Sequence, residues 1–191
     1  MTPAELGAVL DFLRRSERLK IVTRTAWTSE GTRETTAAHS WRLGLFALSL
    51  RPWFPALNFD RVLALTLVHD LGEAVGGDIS AVAQAGAPPK SAQERRDLCE
   101  LLGSLPAPAR ESILALWDEY EACATAEARF VKAVDKFETI LQHNQGRNPP
   151  DFDYAFNLAY GSELATHDPM LRQLRAVLDA ETKSRMPPEA N

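Results

Sequence analysis

His69 and Asp70, an adjacent imidazole and carboxylate, close the apolar run from Val62 to Val68. A carboxylate against an apolar helix face must be paired, hydrogen-bonded or metal-bound, because desolvating it alone costs several kcal/mol in practice. The pair therefore asks for a cation. His39, opening the apolar segment Ser40 to Leu50, and Asp135, inside the periodic segment Phe130 to Leu141, complete a set of two imidazoles and two carboxylates. Such a set suits one divalent ion: imidazole favours Mn²⁺, Fe²⁺, Co²⁺, Ni²⁺ or Zn²⁺, and carboxylates also admit Mg²⁺. Ligand type leaves the ion's identity open. Each residue also has a plainer reading. A histidine among apolar residues is commonly a hydrogen-bonded core side chain, and Asp135 can pair with Lys132 or Lys136.

Arg24 lies in a polar segment, Thr23 to Thr36, that reads as a loop before the His39 helix. From there a guanidinium can reach an anionic ligand and bind it bidentately. Arg14, Arg15 and Arg18 read as a solvated helix face. If the helix continues past Asp70, Glu73 lies on the same flank, four residues after His69 and three after Asp70.

The order His39, then His69-Asp70, then Asp135, each on an expected helix, resembles the H…HD…D pattern of the HD-domain metal-dependent phosphohydrolases. The resemblance extends to Leu19-Lys20, Arg24-Thr25 with Trp27, Ala38-His39-Ser40, Val68 to Glu73 and Gly77-Asp78-Ile79. It also takes in Lys90 with Glu94, Leu116 to Glu121, and Phe130-Val131-Lys132 leading to Asp135-Lys136. It points to the small 5′-deoxynucleotidase-like branch, which removes phosphate from nucleoside 5′-monophosphates. That likeness implies an all-α helical array around one divalent ion per chain, held by His39, His69, Asp70 and Asp135, with metal-activated water as nucleophile. It also implies that Glu73 orients or deprotonates the water, that Asp78 protonates the departing 5′ oxygen, and that the chain forms a homodimer, for which Phe152 to Tyr160 offers an apolar face. Asp78 otherwise reads as a helix N-cap. Lys90 reads as half of a surface salt bridge with Glu94. Some bacterial members carry an Arg-Trp pair where Arg24-Thr25 stands, and that Trp helps to exclude ribose. Trp27, two residues along, would point elsewhere unless the loop is rebuilt. The alternative function is a non-catalytic module that binds metal and nucleotide. A dinuclear oxygenase would need further histidines between Asp70 and Asp135, and no Gly-Tyr-Pro triplet marks a cyclic-dinucleotide phosphodiesterase.

The remaining features bound the class. A chain of 191 residues with 45% hydrophobic content fits one domain over 1–191, with its core in about 5–182 and a frayed tail over 183–191. A net charge of −5 argues against nucleic-acid polymers as partners and leaves a small nucleoside monophosphate. No apolar run reaches the roughly 18 residues of a membrane span, and the N-terminal residues lack the layout of a signal peptide, so a cytoplasmic enzyme is expected. Cys99 and Cys123 form no metal or redox motif and read as reduced thiols in or near the core.

Periodicity predicts helices over Ala4 to Leu19, Thr36 to Leu50, an Asn58-capped segment running through the HD pair to Gly76-Gly77, and Ser91 to Leu102. Further helices are predicted over Ala107 to Tyr120, Thr125 to Gln142, Phe152 to Leu164 and Pro169 to Thr182. Strand signals are nearly absent. Trp41, Trp53 and Trp117 read as core or interface residues, and His143 and His167 as surface residues.

Overall fold

The structure, a computed structural model, describes residues 1–78, 91–166 and 168–186. Nine helices and one hairpin are present among them: α1 (Pro3–Ser16), β1 (Thr23–Trp27), β2 (Arg33–Thr35), α2 (Thr36–Leu50), α3 (Phe59–Val68), α4 (Glu73–Gly76), α5 (Ser91–Leu101), α6 (Ala107–Ala122), α7 (Ala126–Gln145), α8 (Ala155–Ala159) and α9 (Pro169–Arg185). The all-α expectation holds apart from this antiparallel pair of short strands. Side-chain caps set many starts. Thr2 and Glu5 form a capping box on α1, Thr35 caps α2, Asn58 caps α3, Thr125 caps α7 and Asp168 caps α9, each satisfying backbone N–H groups that the first helical turn leaves open.

α7 is the axis of the molecule. It packs against α2, α3, α6, α9 and β1, so it is buried on several sides: Phe130, Val131, Val134, Phe137 and Ile140 meet Leu43 and Ala47 of α2, Val62 and Leu65 of α3, and Leu171 and Leu178 of α9. A second cluster joins Leu98, Leu102, Leu105 and Trp117 to Val9 and Phe12 of α1. Leu6, Leu10 and Leu13 of α1 stay exposed, so its apolar stripe is only partly used.

Several expectations need correction. The segment predicted as a loop contains β1 and β2, because the Arg33 guanidinium donates to the Arg24 carbonyl and the strands pair from Thr23 with Thr35 to Trp27 with Arg33. The predicted helix through the HD pair instead ends at Val68 and resumes at Glu73. Phe152 to Leu164 holds only α8 and a 3₁₀ turn over Ser162–Ala165, whereas α9 runs on to Arg185, past the start of the expected frayed tail. His143 is buried, not on the surface. Cys99 is exposed, and Cys123 ends α6 with φ of 49°. Trp117 is core, while Trp41 and Trp53 are exposed. Phe152 packs edge-on to Trp27, His143 and Tyr154, and Tyr160 packs on the main core, while Phe156 and Leu158 are half-buried. Lys90 and His167 lie outside the described residues. No described helix is long and apolar enough to cross a membrane.

Candidate metal centre

Four elements deliver the cluster: α2 brings His39, the turn after α3 brings His69 and Asp70, α7 brings Asp135, and β1 brings Arg24. The turn is built by tightening. Leu71, Glu73 and Ala74 donate their N–H groups three residues back, to Val68, Asp70 and Leu71, and in such 3₁₀ geometry residues three apart eclipse one another. Glu73 therefore stands over Asp70. The His69 carbonyl accepts from the buried Trp117 indole at 3.1 Å. The turn is also pressed against α5, since a Cβ on Gly76 would meet Asp97 Oδ2 at 2.3 Å and one on Gly72 would meet the Glu94 carbonyl at 2.7 Å. The left-handed Gly77, at φ 79°, then redirects the chain to Asp78.

The two imidazoles are held from behind. His69 Nδ1 donates to the Thr66 carbonyl at 3.0 Å, and His39 Nδ1 bonds Glu138 Oε2. Both Nε2 atoms are thereby turned to one place, 3.4 Å apart. Asp70 Oδ2 lies 3.1 Å from His69 Nε2 and 3.9 Å from His39 Nε2. The ligand atoms of His39, His69 and Asp70 all lie within 4.8 Å of one another. Asp135 joins through Oδ1, 3.1 Å from His39 Nε2, while its Oδ2 accepts from the Tyr120 hydroxyl at 2.8 Å and Lys136 Nζ at 2.9 Å. Lys136 thus fulfils the ion-pair reading of Asp135, and Lys132 pairs with Glu121 instead. Asp135 itself is buried.

The charges fit a cation. Burial pushes the Asp70 and Asp135 carboxyls up, but His69 and Arg24 around Asp70, and Lys136 and His39 around Asp135, outweigh it and keep both ionised. Burial and Arg24 press the His39 imidazole down, yet Glu138 and Asp135 on its two nitrogens raise it to about 10. A proton there answers the same demand as a metal ion, which would displace it. Two imidazole nitrogens beside two ionised carboxylates are a donor set for a borderline divalent cation.

Around this set, burial and then the neighbouring Asp70 and Asp78 raise Glu73 to about 9, and its Oε2 accepts from the Thr36 hydroxyl at 2.8 Å. Asp78 follows Gly77; its expected capping role falls on residues outside those described. Arg24 Nη1 donates to Asp70 Oδ2 at 3.2 Å, Nη2 donates to Thr139 Oγ1 at 3.0 Å, and Nε lies 3.5 Å from the buried Glu34 carboxylate. The alternation of β1 turns Arg24 and Ala26 inward and leaves Thr25 exposed, while Trp27 stacks under the Arg33 guanidinium. Arg14 and Arg18 are exposed as expected, whereas Arg15 binds the carbonyls at the end of α5. Sequence reasoning missed Glu138, Glu34, Thr36 and Tyr120. Only Glu138 left a trace: a carboxylate three residues after Asp135, between Phe137 and Ile140, is another buried charge that needs a partner.

The chain is similar to known proteins. The chain is 34% identical over 140 residues to the human protein named 5′-deoxynucleotidase HDDC2, an overlap of 72% of this chain and 68% of that one. It is 34% identical to the 5′-deoxynucleotidase hdd1 of Schizosaccharomyces pombe, over 74% of each chain. The crystal structure of a predicted metal-dependent phosphohydrolase from Magnetospirillum magnetotacticum MS-1 superposes with a TM-score of 0.77 at 27% identity, covering 95% of this chain and 92% of that one. The sequence pattern of the HD domain matches residues 16–175, a span that holds every member of the cluster from Arg24 to Glu138, and the chain belongs to the HD-domain family.

Proposed function

We propose that this chain is a metal-dependent phosphohydrolase that removes the 5′-phosphate from (deoxy)nucleoside 5′-monophosphates, as the names of its relatives indicate for them. The observation that carries the reading is the convergence of His39 Nε2, His69 Nε2 and Asp70 Oδ2, with Asp135 beside them. His39, His69, Asp70 and Asp135 would hold one divalent ion. Bound there, the ion supplies positive charge against the phosphoryl oxygens and makes water at the site a stronger acid.

The protein's own groups do the rest. Arg24 binds the phosphoryl oxygens with its planar donors and stabilises the charge that grows on them. Glu73, held by Thr36, would orient or deprotonate the attacking water; the positive charge of a bound ion opposes the burial and the neighbouring carboxylates that otherwise keep its proton on. The water oxygen bonds to phosphorus as the bond to the 5′ oxygen breaks, and Asp78 gives that oxygen its proton. Inorganic phosphate and a nucleoside leave.

The test is phosphate release from deoxy- and ribonucleoside monophosphates by metal-depleted protein, with Mn²⁺, Co²⁺, Fe²⁺, Ni²⁺, Zn²⁺ or Mg²⁺ added back singly. Turnover is expected only with an ion present. Activity in the absence of every ion overturns the mechanism. Stoichiometric metal with no turnover of any monophosphate overturns the activity and leaves a binding module.

A further inference from the structure

Behind the metal centre, α2 and α7 are tied by two pairs of residues spaced three apart. His39 and Arg42 on α2 face Asp135 and Glu138 on α7: His39 Nε2 lies 3.1 Å from Asp135 Oδ1, His39 Nδ1 bonds Glu138 Oε2, and Arg42 Nε donates to Glu138 Oε1 at 2.6 Å. Glu138 is fully buried. Both of its oxygens are therefore committed, one to a ring nitrogen and one to a guanidinium.

Glu34, His39 and Glu138 also come close enough together to suggest a second cation site. The charges oppose that. Arg24 stands 3.5 Å from Glu34, and Arg42 occupies Glu138, so the two carboxylates already face two guanidinium groups. What Glu138 does control is the imidazole between it and the metal centre. A carboxylate on Nδ1 fixes the proton there, leaves the Nε2 lone pair for the ion and makes the ring a stronger donor.

Resting on the metal-centre reading above, we propose that Glu138, clamped by Arg42, is a positioning residue that holds His39 in its ligating tautomer and tightens metal binding. Glu138→Gln keeps the shape but offers Nδ1 either an acceptor or a donor, so the tautomer is no longer imposed. Mn²⁺ and Co²⁺ binding to metal-depleted wild type, Glu138→Gln and Arg42→Met is measured by calorimetric titration, with the cobalt absorption band as a second readout and the melting temperature of each metal-free protein alongside. Glu138→Gln is expected to bind about 10–100-fold more weakly, with an altered cobalt band, and Arg42→Met to bind measurably more weakly, by about 2–10-fold. Wild-type affinity and an unchanged cobalt band in Glu138→Gln, with only the melting temperature moved, would show a purely structural role and overturn the inference alone. Failure of the wild type to bind either ion would bring down the metal-centre reading and this inference together. If Glu138→Gln does not fold, unaltered affinity in Arg42→Met overturns the inference.

Discussion

α7 carries two buried polar clusters, and they are built on opposite principles. Near its middle, Asp135 and Glu138 meet His39, Arg42, Tyr120 and Lys136, all through charged or charge-assisted contacts. Near its end, His143 Nδ1 bonds the Asn157 side chain at 2.8 Å, Asn144 bonds the Leu178 carbonyl and the Thr182 hydroxyl, and Asn148 bonds the His143 carbonyl. The second cluster pins α8 and α9 to α7. Its one cation, Arg175, spends its donors on the carbonyls of Asn157, Leu158 and Tyr160 and on Asp179. Burial and the positive Arg24 hold the His143 imidazole below its ordinary range, whereas flanking carboxylates lift His39 above it. A buried histidine is thus no sign of a metal by itself. What separates the two is the company: His39 shares its cavity with a second imidazole and ionised carboxylates, and His143 shares its own with amides.

The largest effects should come from the first cluster, and they should differ in kind. Asp70→Ala is expected to abolish metal uptake and turnover together. Glu73→Gln is expected to keep stoichiometric metal and lose about 10²–10⁴-fold in kcat. Metal analysis beside steady-state kinetics separates them, and equal metal loss in both would undo the division of roles.

In the second cluster the currency is stability. Arg175→Met strips the buried Asn157 carbonyl and the half-buried Leu158 and Tyr160 carbonyls of a charged donor, and should cost roughly 3 kcal/mol in denaturant unfolding while the metal affinity of the folded protein stays at its wild-type value. A shifted metal affinity would mean that the two clusters are not independent.

The smallest effect sharpens the contrast between the histidines. With a native value below the ordinary 6.5, His143 contributes stability that is present above about pH 6.5 and lost as pH falls below it toward the native value. His143→Gln should therefore be less stable than wild type by about 1 kcal/mol at pH 8, and the gap should narrow as pH falls from 6.5 to 5. Denaturant midpoints across that range decide it. A gap that is constant or widening in acid would mean that His143 is not held neutral.

Much of the frame was legible along the chain. Asn58 and Thr125 marked helix starts where α3 and α7 begin, and the periodic apolar residues Phe130, Val134 and Phe137 are buried, although α7 is buried on further sides as well. His39, His69, Asp70 and Asp135 stood out because charges or imidazoles beside apolar runs conflict with burial unless something compensates them. The hairpin was not legible: β1 and β2 are short and polar, and they are strands only because they pair with each other. Nor was the break after Val68, since residues 69–76 carry an acceptable helical pattern and the tightening depends on Trp117 and α5 meeting that turn.

Local periodicity and uncompensated polarity, both properties of neighbouring residues, declare most of the helices and mark His39, His69, Asp70 and Asp135 as candidates, which the ordered resemblance to the HD family joins into one set. They are blind to contacts across long stretches of chain. That Glu138 backs His39 over 99 positions, that Arg24 reaches Thr139 over 115, and that His143 is satisfied by an amide were decided only when α2, β1 and α8 packed against α7, because a hydrogen bond depends on distance and direction in space and not on separation in sequence.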